Sequence, residues 1–171
     1  IADWATLFGK EELGMGASVA TLSYLFYLVG LIIGRFSIGW ALNHQSEQFW
    51  IKTGGLVGGL GFASALIIST FIVDLNKNLA FVIAFSGFFL AGLGSSAMTP
   101  MFFSIAGRLS DGRNALAVAQ LSFINAFAIY VAKTTLAWVA QLTSITVALM
   151  FTGLIMSLLI YFGKVGSNQR V

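Results

Sequence analysis

Hydrophobic residues fall into long, uninterrupted runs along this chain, and short polar connections separate the runs. Five runs are complete, and they cover residues 16–42, 51–73, 79–103, 115–141 and 144–163. A helix needs about 20 apolar residues to cross the core of a bilayer. Backbone groups in lipid must bond within their own segment, so these runs predict membrane-spanning α-helices.

The first residues predict part of one more helix. Residues 1–8 are apolar, and no charged segment precedes them, so a signal peptide is not indicated. We expect them to be the outgoing end of a truncated helix, followed by a loop through Lys10, Glu11 and Glu12. The predicted fold is an all-α polytopic transmembrane helix bundle. It forms a single domain over residues 1–171, cut from a longer protein.

The composition supports a lipid-embedded protein without metal or catalytic chemistry. Of the residues, 58% are hydrophobic and 9% are charged, against about 25% charged in a typical soluble domain. The net charge of +3 is spread out and indicates no nucleic-acid partner. Cysteine is absent and His44 is the single histidine, so neither a thiolate nor a histidine metal centre is predicted. No catalytic constellation appears; we predict neither a cofactor nor an enzyme.

Lysine and arginine are unevenly divided between the two predicted membrane faces. One face holds Arg35, Lys52, Arg108, Arg113, Lys164 and Arg170, whereas the other holds Lys10 and Lys77. Cytoplasmic loops carry an excess of these residues. The first face is therefore predicted to be cytoplasmic, with the C-terminus inside.

Glycines spaced four residues apart indicate where helices approach closely. The pairs are Gly30 with Gly34, Gly54 with Gly58, and Gly55 with Gly59. Small residues at this spacing let two helix backbones come together inside a membrane bundle. We interpret the pairs as packing sites and infer no partner protein from them.

Lys133 is a charged residue well inside the fourth complete run. At 1.5 Å per residue, it lies roughly 27 Å from the inner end and about 12 Å from the outer end. A charge at that depth is costly unless it meets water or a partner. Its side chain either extends to the outer headgroups or faces a polar cavity. The cavity is favoured because Ser122 and Asn125 share a helical face with Lys133 and continue the polar stripe deeper.

Pro100, the one proline, lies in the third complete run and predicts a kink. It removes the hydrogen bond to the carbonyl of Ser96, and Ser95 and Thr99 add hydroxyls nearby. Kinked helices at membrane depth are places where transporters hold substrates. The alternative is a kink whose hydroxyl groups satisfy the backbone without any ligand.

Asp3 is the one acid close to the predicted depth of Lys133. An ion pair between the two side chains, with a role in coupling, is conceivable. The sequence alone leaves that pairing open.

The stretch Gly34–His44 resembles a signature of the major facilitator superfamily, Gly-Arg-x-x-x-Gly-x-x-x-Asp-Arg, which lies between the eighth and ninth spans of that fold. Gly34, Arg35 and Gly39 match it, whereas Asn43 and His44 replace its Asp and Arg. A charge-based latch at this loop is therefore expected to be weakened or absent.

Two further stretches carry the same resemblance. Residues 92–108 look like the tenth span of bacterial sugar-permease-like members, and the Asp3–Trp4 pair is similar to the end of their seventh span. The resemblance implies the C-terminal six-helix half of a twelve-span transporter, with a truncated seventh span and the N-terminal half missing. It also implies a bacterial plasma (inner) membrane and a central cavity lined by spans seven, eight, ten and eleven. Candidate cavity residues are Lys133, Asn125, Ser122, Ser95, Ser96, Thr99, Tyr24 and Tyr27.

We therefore predict a fragment of a secondary active transporter that moves a small-molecule substrate by alternating access, together with a coupling proton or other ion. The alternative is a non-transporting membrane protein, such as a sensor or assembly subunit, with the same bundle. The short loops offer little surface for a signalling partner. A half-size transporter acting as a homodimer is disfavoured, because five and a part spans do not close a six-helix unit.

Overall fold

The computed structural model of the chain describes residues 1–110 and 112–162, and every regular element in that part is helical. The α-helices are α1 (Ala2–Glu11), α2 (Ala17–His44), α3 (Glu47–Gly55), α4 (Phe62–Ile72), α5 (Lys77–Ser96), α6 (Met98–Arg108), α7 (Asn114–Leu142), α8 (Ile145–Ser157) and α9 (Leu159–Phe162). A π-helical turn, Leu56–Gly61, joins α3 to α4. The predicted all-α bundle is confirmed. Lys164, Arg170 and the remainder of the predicted tail lie outside the described residues.

Four described helical stretches are long and apolar enough to cross a membrane: Ala17–Ile38, Gln48–Ile72, Lys77–Arg108 and Asn114–Leu142. The last predicted span is shorter as a continuous helix, because a turn at Leu158 separates α8 from α9. Residue 163, the predicted end of that span, is not among the described residues.

Helices extend further into the polar connections than the apolar runs indicate. Helix α2 continues to His44 and α3 begins at Glu47, so the connection predicted over residues 44–49 is much shorter. The Ser46 hydroxyl accepts the N–H of Phe49 at 3.3 Å and caps α3. Likewise, α6 runs to Arg108 rather than to residue 103. A run of apolar residues marks the lipid-facing part, whereas the backbone hydrogen bonds continue to the cap.

The connections gather at two opposite ends of the bundle. We call residues 12–16, 73–76 and 143–144 the Glu12 end, and residues 45–46, 109–110 and 112–113 the Ser46 end. At the Glu12 end, Asn76 Oδ1 accepts the N–H of Leu79 at 3.1 Å and caps α5. Ser144 Oγ caps α8 in the same way, 3.2 Å from the N–H of Val147.

Helices α2 and α5 form the closest pair in the bundle, and glycine makes that approach feasible. A methyl group at Gly92 would overlap the carbonyl oxygen of Tyr27, and one at Gly30 would overlap that of Phe89. At Gly34 it would collide with the Ser96 side chain. The predicted close approach at Gly30 and Gly34 is confirmed.

Three of the four glycines in the other predicted pairs also lie at helix contacts. Methyl groups at Gly54 and Gly58 would meet the backbone of Gly94 on α5. One at Gly59 would meet the carbonyl of Gly153 on α8. The π-helical turn therefore packs between α5 and α8, and the Met156 side chain of α8 also reaches Gly58.

The larger hydrophobic core lies towards the Glu12 end. Phe88 contacts Phe8 and Phe62 edge to face, with ring centroids 5.8 and 5.2 Å apart. Leu13 and Met15, from the loop after α1, are buried in the same cluster. A smaller cluster of Ile51, Ala97 and Met101 holds α3 against the α5–α6 junction near the Ser46 end.

Helix α7 stands apart from this packing. It contacts its chain neighbours α6 and α8. Within its most apolar 18-residue stretch, 0% of the residues are buried, against 44% for the corresponding stretch of Lys77–Arg108.

Candidate functional site

Helices α1 and α7 bring two opposite charges together. Lys133 Nζ lies 2.7 Å from Asp3 Oδ2, so the ion pair that the sequence left open is formed. The two side chains are 59% and 60% exposed within the described bundle. Asp3 lies about 12 Å before the end of α1, and Lys133 about 14 Å before the end of α7. The two helices therefore offer their charges at the same depth.

A cavity of about 380 Å³ adjoins the pair, lined by Asp3, Trp4, Leu7 and Lys133. Aromatic and apolar side chains thus flank a single positive and a single negative group. In the described bundle this depression is wide open, whereas small-molecule sites combine an apolar wall and a few polar groups in an enclosed cleft.

The polar stripe continues along α7 towards the Ser46 end. Ser122 and Asn125 are exposed, and Ser122 Oγ donates to the carbonyl of Val118 at 2.7 Å. Serine hydroxyls inside membrane helices commonly bond their own backbone in this way. Because Ser122 and Asn125 are exposed in the described bundle, their place in a cavity lining stays a prediction.

Tyr27 and Ser95 meet between α2 and α5. Their hydroxyl oxygens are 3.3 Å apart, and Ser95 Oγ also donates to the carbonyl of Gly92 at 3.1 Å. Both side chains are half-buried. Tyr24, the other candidate on α2, is exposed. The contact creates a second polar spot at membrane depth.

Ser96 has different surroundings from its neighbour Ser95. It is buried against Gly34, and its hydroxyl donates to the carbonyl of Leu93 at 2.6 Å. It also borders an apolar cleft of about 220 Å³ between α2, α3 and α5, whose walls include Trp50 and Thr53. The structure thus places Ser96 beside this cleft, and it places Thr99 at an exposed position on α6.

The predicted interruption at Pro100 is present. Helix α5 ends at Ser96, and α6 begins at Met98, with a turn at Ala97 between them. Pro100 therefore falls in the first turn of α6, where its missing N–H costs least. The hydroxyls of Ser95 and Ser96 each bond a carbonyl in the preceding turn.

The signature stretch lies on the last turns of α2. Gly34 packs against Ser96, and Arg35 is exposed. Gly39 is part of the helix, and Asn43 and His44 are exposed at its end. The helical backbone of the signature is thus retained although its final charged residues are replaced.

Glu12 is a residue that the sequence patterns did not single out. Its Oε1 accepts the backbone N–H of Ile145 at 2.9 Å and that of Thr146 at 3.3 Å, on the first turn of α8. Carboxylates are favourable at helix N-termini, where unbonded N–H groups point outward. No local pattern signals a contact between residues so far apart in the chain.

The chain is similar to a known membrane transporter. Over 146 residues it is 27% identical to an uncharacterized MFS-type transporter of Yersinia pestis. The match covers 85% of this chain and 35% of the relative, so the chain spans about a third of the length of that curated protein. No family model and no solved structure matches the chain.

This match confirms the resemblance to the major facilitator superfamily that the sequence motifs carried. Together with the apolar helices, it identifies an integral membrane protein that is similar to a transporter. The relative's name specifies no substrate.

Proposed function

We propose that the chain is the C-terminal six-span half of a secondary active transporter, which moves a small solute across a membrane by alternating access. In this proposal α1 belongs to the seventh span, α2 is the eighth, α3 with α4 is the ninth, and α5 with α6 is the tenth. Helix α7 is the eleventh, and α8 with α9 is the twelfth. The similarity to an MFS-type transporter supports the assignment.

The Asp3–Lys133 pair is the observation that carries the proposal. Ionisable groups at membrane depth are costly against lipid and are sustained where they face water or one another. This pair joins two helices that otherwise barely touch, and a cavity of about 380 Å³ opens beside it. A purely structural bundle has no need for two charges at this place.

Two roles are compatible with Lys133. Its ammonium group has three donors, which suit an anionic or hydroxyl-bearing solute. Alternatively, Lys133 releases Asp3 when a coupling proton arrives. The ion pair is then broken in one state of the transport cycle and formed in the other. In both cases Asn125 and Ser122 extend the polar path along α7, and Tyr27 with Ser95 forms a second contact region on α2 and α5.

The membrane topology is part of the proposal. Arg35, Lys52, Arg108 and Arg113 cluster near the Ser46 end, whereas Lys10 and Lys77 are at the Glu12 end. By the distribution of positive charge, the Ser46 end faces the cytoplasm of a bacterial plasma membrane and the Glu12 end faces outward.

A reconstituted uptake assay tests this function. The full-length protein is placed in proteoliposomes and supplied with sugars, amino acids and drugs, with and without a proton gradient. Uptake of one class above empty liposomes is the expected result. Lys133→Met should reduce that uptake at least tenfold at equal reconstituted amounts.

Lys77→Met is the matched control, since it removes the same side chain from an exposed position at the start of α5. Its uptake should equal that of the unaltered protein. Unchanged transport in Lys133→Met would remove this lysine from the mechanism. Absence of uptake for every class would favour the non-transporting alternative.

A further inference from the structure

We propose that Glu12 is a positioning residue, which sets the register at which Asp3 meets Lys133. The inference rests on the proposed function for its consequence in transport. The positioning of Asp3 by Glu12 is inferred only from the contacts in the structure.

Two polar contacts connect the α1 segment to the α7–α8 corner. The first is the Glu12 carboxylate on the N–H groups of Ile145 and Thr146. The second is the Asp3–Lys133 ion pair. Residues 143–144 are the whole connection between α7 and α8, so the first turn of α8 lies directly beside the end of α7.

The two contacts lie at matching distances along their helices. Asp3 is nine residues before Glu12, the residue that follows α1, and Lys133 is nine residues before the end of α7 at Leu142. Each separation corresponds to roughly 14 Å of helix. When Glu12 holds the α8 N-terminus, Asp3 therefore comes level with Lys133.

Side-chain packing between α1 and α7 does not provide this alignment. The two helices make few close approaches in the described chain, and Leu7, which lies between the two contacts, is 38% exposed. The cavity beside the ion pair occupies this gap. Ala5 and Phe8 fix α1 in the main core, and Glu12 is the polar contact that ties this segment to α8, beside the end of α7.

The segment that carries Glu12 is itself well anchored. Leu13 and Met15 are buried in the main core, and the N–H of Met15 donates to the carbonyl of Gly9 at 2.9 Å. Gly14, between these two residues, adopts a positive φ of 61°, which glycine tolerates without steric cost. A rigid loop can transmit the position of α8 to α1, and thus to Asp3.

A double-mutant cycle on the full-length protein in detergent tests the coupling. The melting temperature is measured for Glu12→Ala, Lys133→Met and the combined variant. Sites this far apart without a shared partner are additive. If Glu12 acts through the ion pair, the combined loss should be clearly smaller than the sum of the single losses.

Ser144→Ala is the matched control, because it removes a different cap from the same N-terminus of α8 without touching α1. Its loss should add fully to that of Lys133→Met. Full additivity for Glu12→Ala as well would overturn the proposal and leave Glu12 as a simple cap. If Glu12→Ala does not fold, Glu12→Gln, which retains an acceptor oxygen, enters the same cycle.

Uptake separates this inference from the proposed function. Glu12→Ala should reduce the rate several-fold more than Ser144→Ala, and Glu12→Gln should recover part of it. If Lys133→Met transports normally while the thermal coupling persists, the proposed function fails and the positioning role stands. If Lys133→Met is inactive and Glu12→Ala shows only additive loss, the proposed function stands and the positioning role of Glu12 fails.

Discussion

Helices α5 and α7 are similarly apolar, yet they differ in how much of their surface is buried in the bundle. Lys77–Arg108, which contains α5, and α7 both have a mean hydropathy of 1.8 in their most apolar stretch. In the first, 44% of that stretch is buried, and Gly92 and Gly94 bring it against α2 and the π-helical turn. In α7 the buried share is 0%, and the helix carries Lys133.

Hydropathy alone therefore does not reveal what a membrane helix faces. Small residues mark the surfaces that are closed by other helices of the same bundle. Large aromatic side chains and one charge mark α7, where Phe123, Phe127 and Tyr130 are all strongly exposed. We infer that α5 holds the bundle together and that α7 borders a different environment.

The largest loss of stability is expected from adding a side chain where α5 packs closely against α2. In Gly92→Val the Cβ atom alone would overlap the carbonyl of Tyr27 and the backbone nitrogen of Leu31. Because backbone must move, the loss should reach or exceed the ~1–3 kcal/mol typical of overpacked cores. The protein should lose its monodisperse peak in size-exclusion chromatography.

Gly107→Val is the matched control, since nothing lies within 4 Å of a methyl group at Gly107. It should behave as the unaltered protein does. A stable Gly92→Val variant would show that α2 and α5 are not held as closely as described.

A smaller loss of stability is expected from removing one partner of the Asp3–Lys133 ion pair. Asp3→Asn leaves Lys133 without its partner at membrane depth. The stability loss should be about 1–2 kcal/mol, below that of a fully buried pair because both side chains are more than half exposed. Adding Lys133→Met should restore part of the melting temperature, since no lone charge remains.

Asp74→Asn serves as the control for this series, because Asp74 is an exposed acid at the Glu12 end. It should leave the melting temperature unchanged. A combined variant less stable than Asp3→Asn alone would contradict the pairing.

The smallest effect is expected from a single hydroxyl. Tyr27→Phe removes the 3.3 Å contact with Ser95, while Ser95 keeps its bond to Gly92. The stability loss should stay near or below about 1 kcal/mol. The uptake KM should change more than in Tyr130→Phe, whose hydroxyl lies on the exposed surface of α7. Equal KM values for both variants would remove the Tyr27–Ser95 contact from the solute path.

Local patterns predicted much of the fold and less of the site. Apolar runs locate the helices, and four-residue glycine spacing locates the contacts at Gly30, Gly34, Gly54 and Gly58, because both follow from the helical repeat. The break beside Pro100 follows from one missing N–H. Helix ends at Glu47 and Arg108 were missed, since caps rather than hydropathy set them.

Contacts between distant segments were beyond such patterns. The Asp3–Lys133 pair was suggested by matching depth, but depth does not say whether two helices are neighbours. Glu12 gave no local signal at all, because its partners are backbone N–H groups on a helix that begins more than 130 residues later. These contacts depend on the packing of the entire bundle.

The polar stripe of α7 is expected to border water, while the opposite side of the helix borders lipid. This chain contains no cysteine. In a full-length protein from which any cysteine outside this chain has been removed, single cysteines are placed at Ser122, Asn125 and Ile129, and at Ile124, Phe127 and Val131 on the other side. Reaction of the reconstituted full-length protein with a membrane-impermeant thiol reagent is then measured. We expect the reagent to label cysteines at Ser122, Asn125 and Ile129. Cysteines at Ile124, Phe127 and Val131 should be protected from it. Equal labelling of both sides, or labelling of the second side alone, would contradict this expectation.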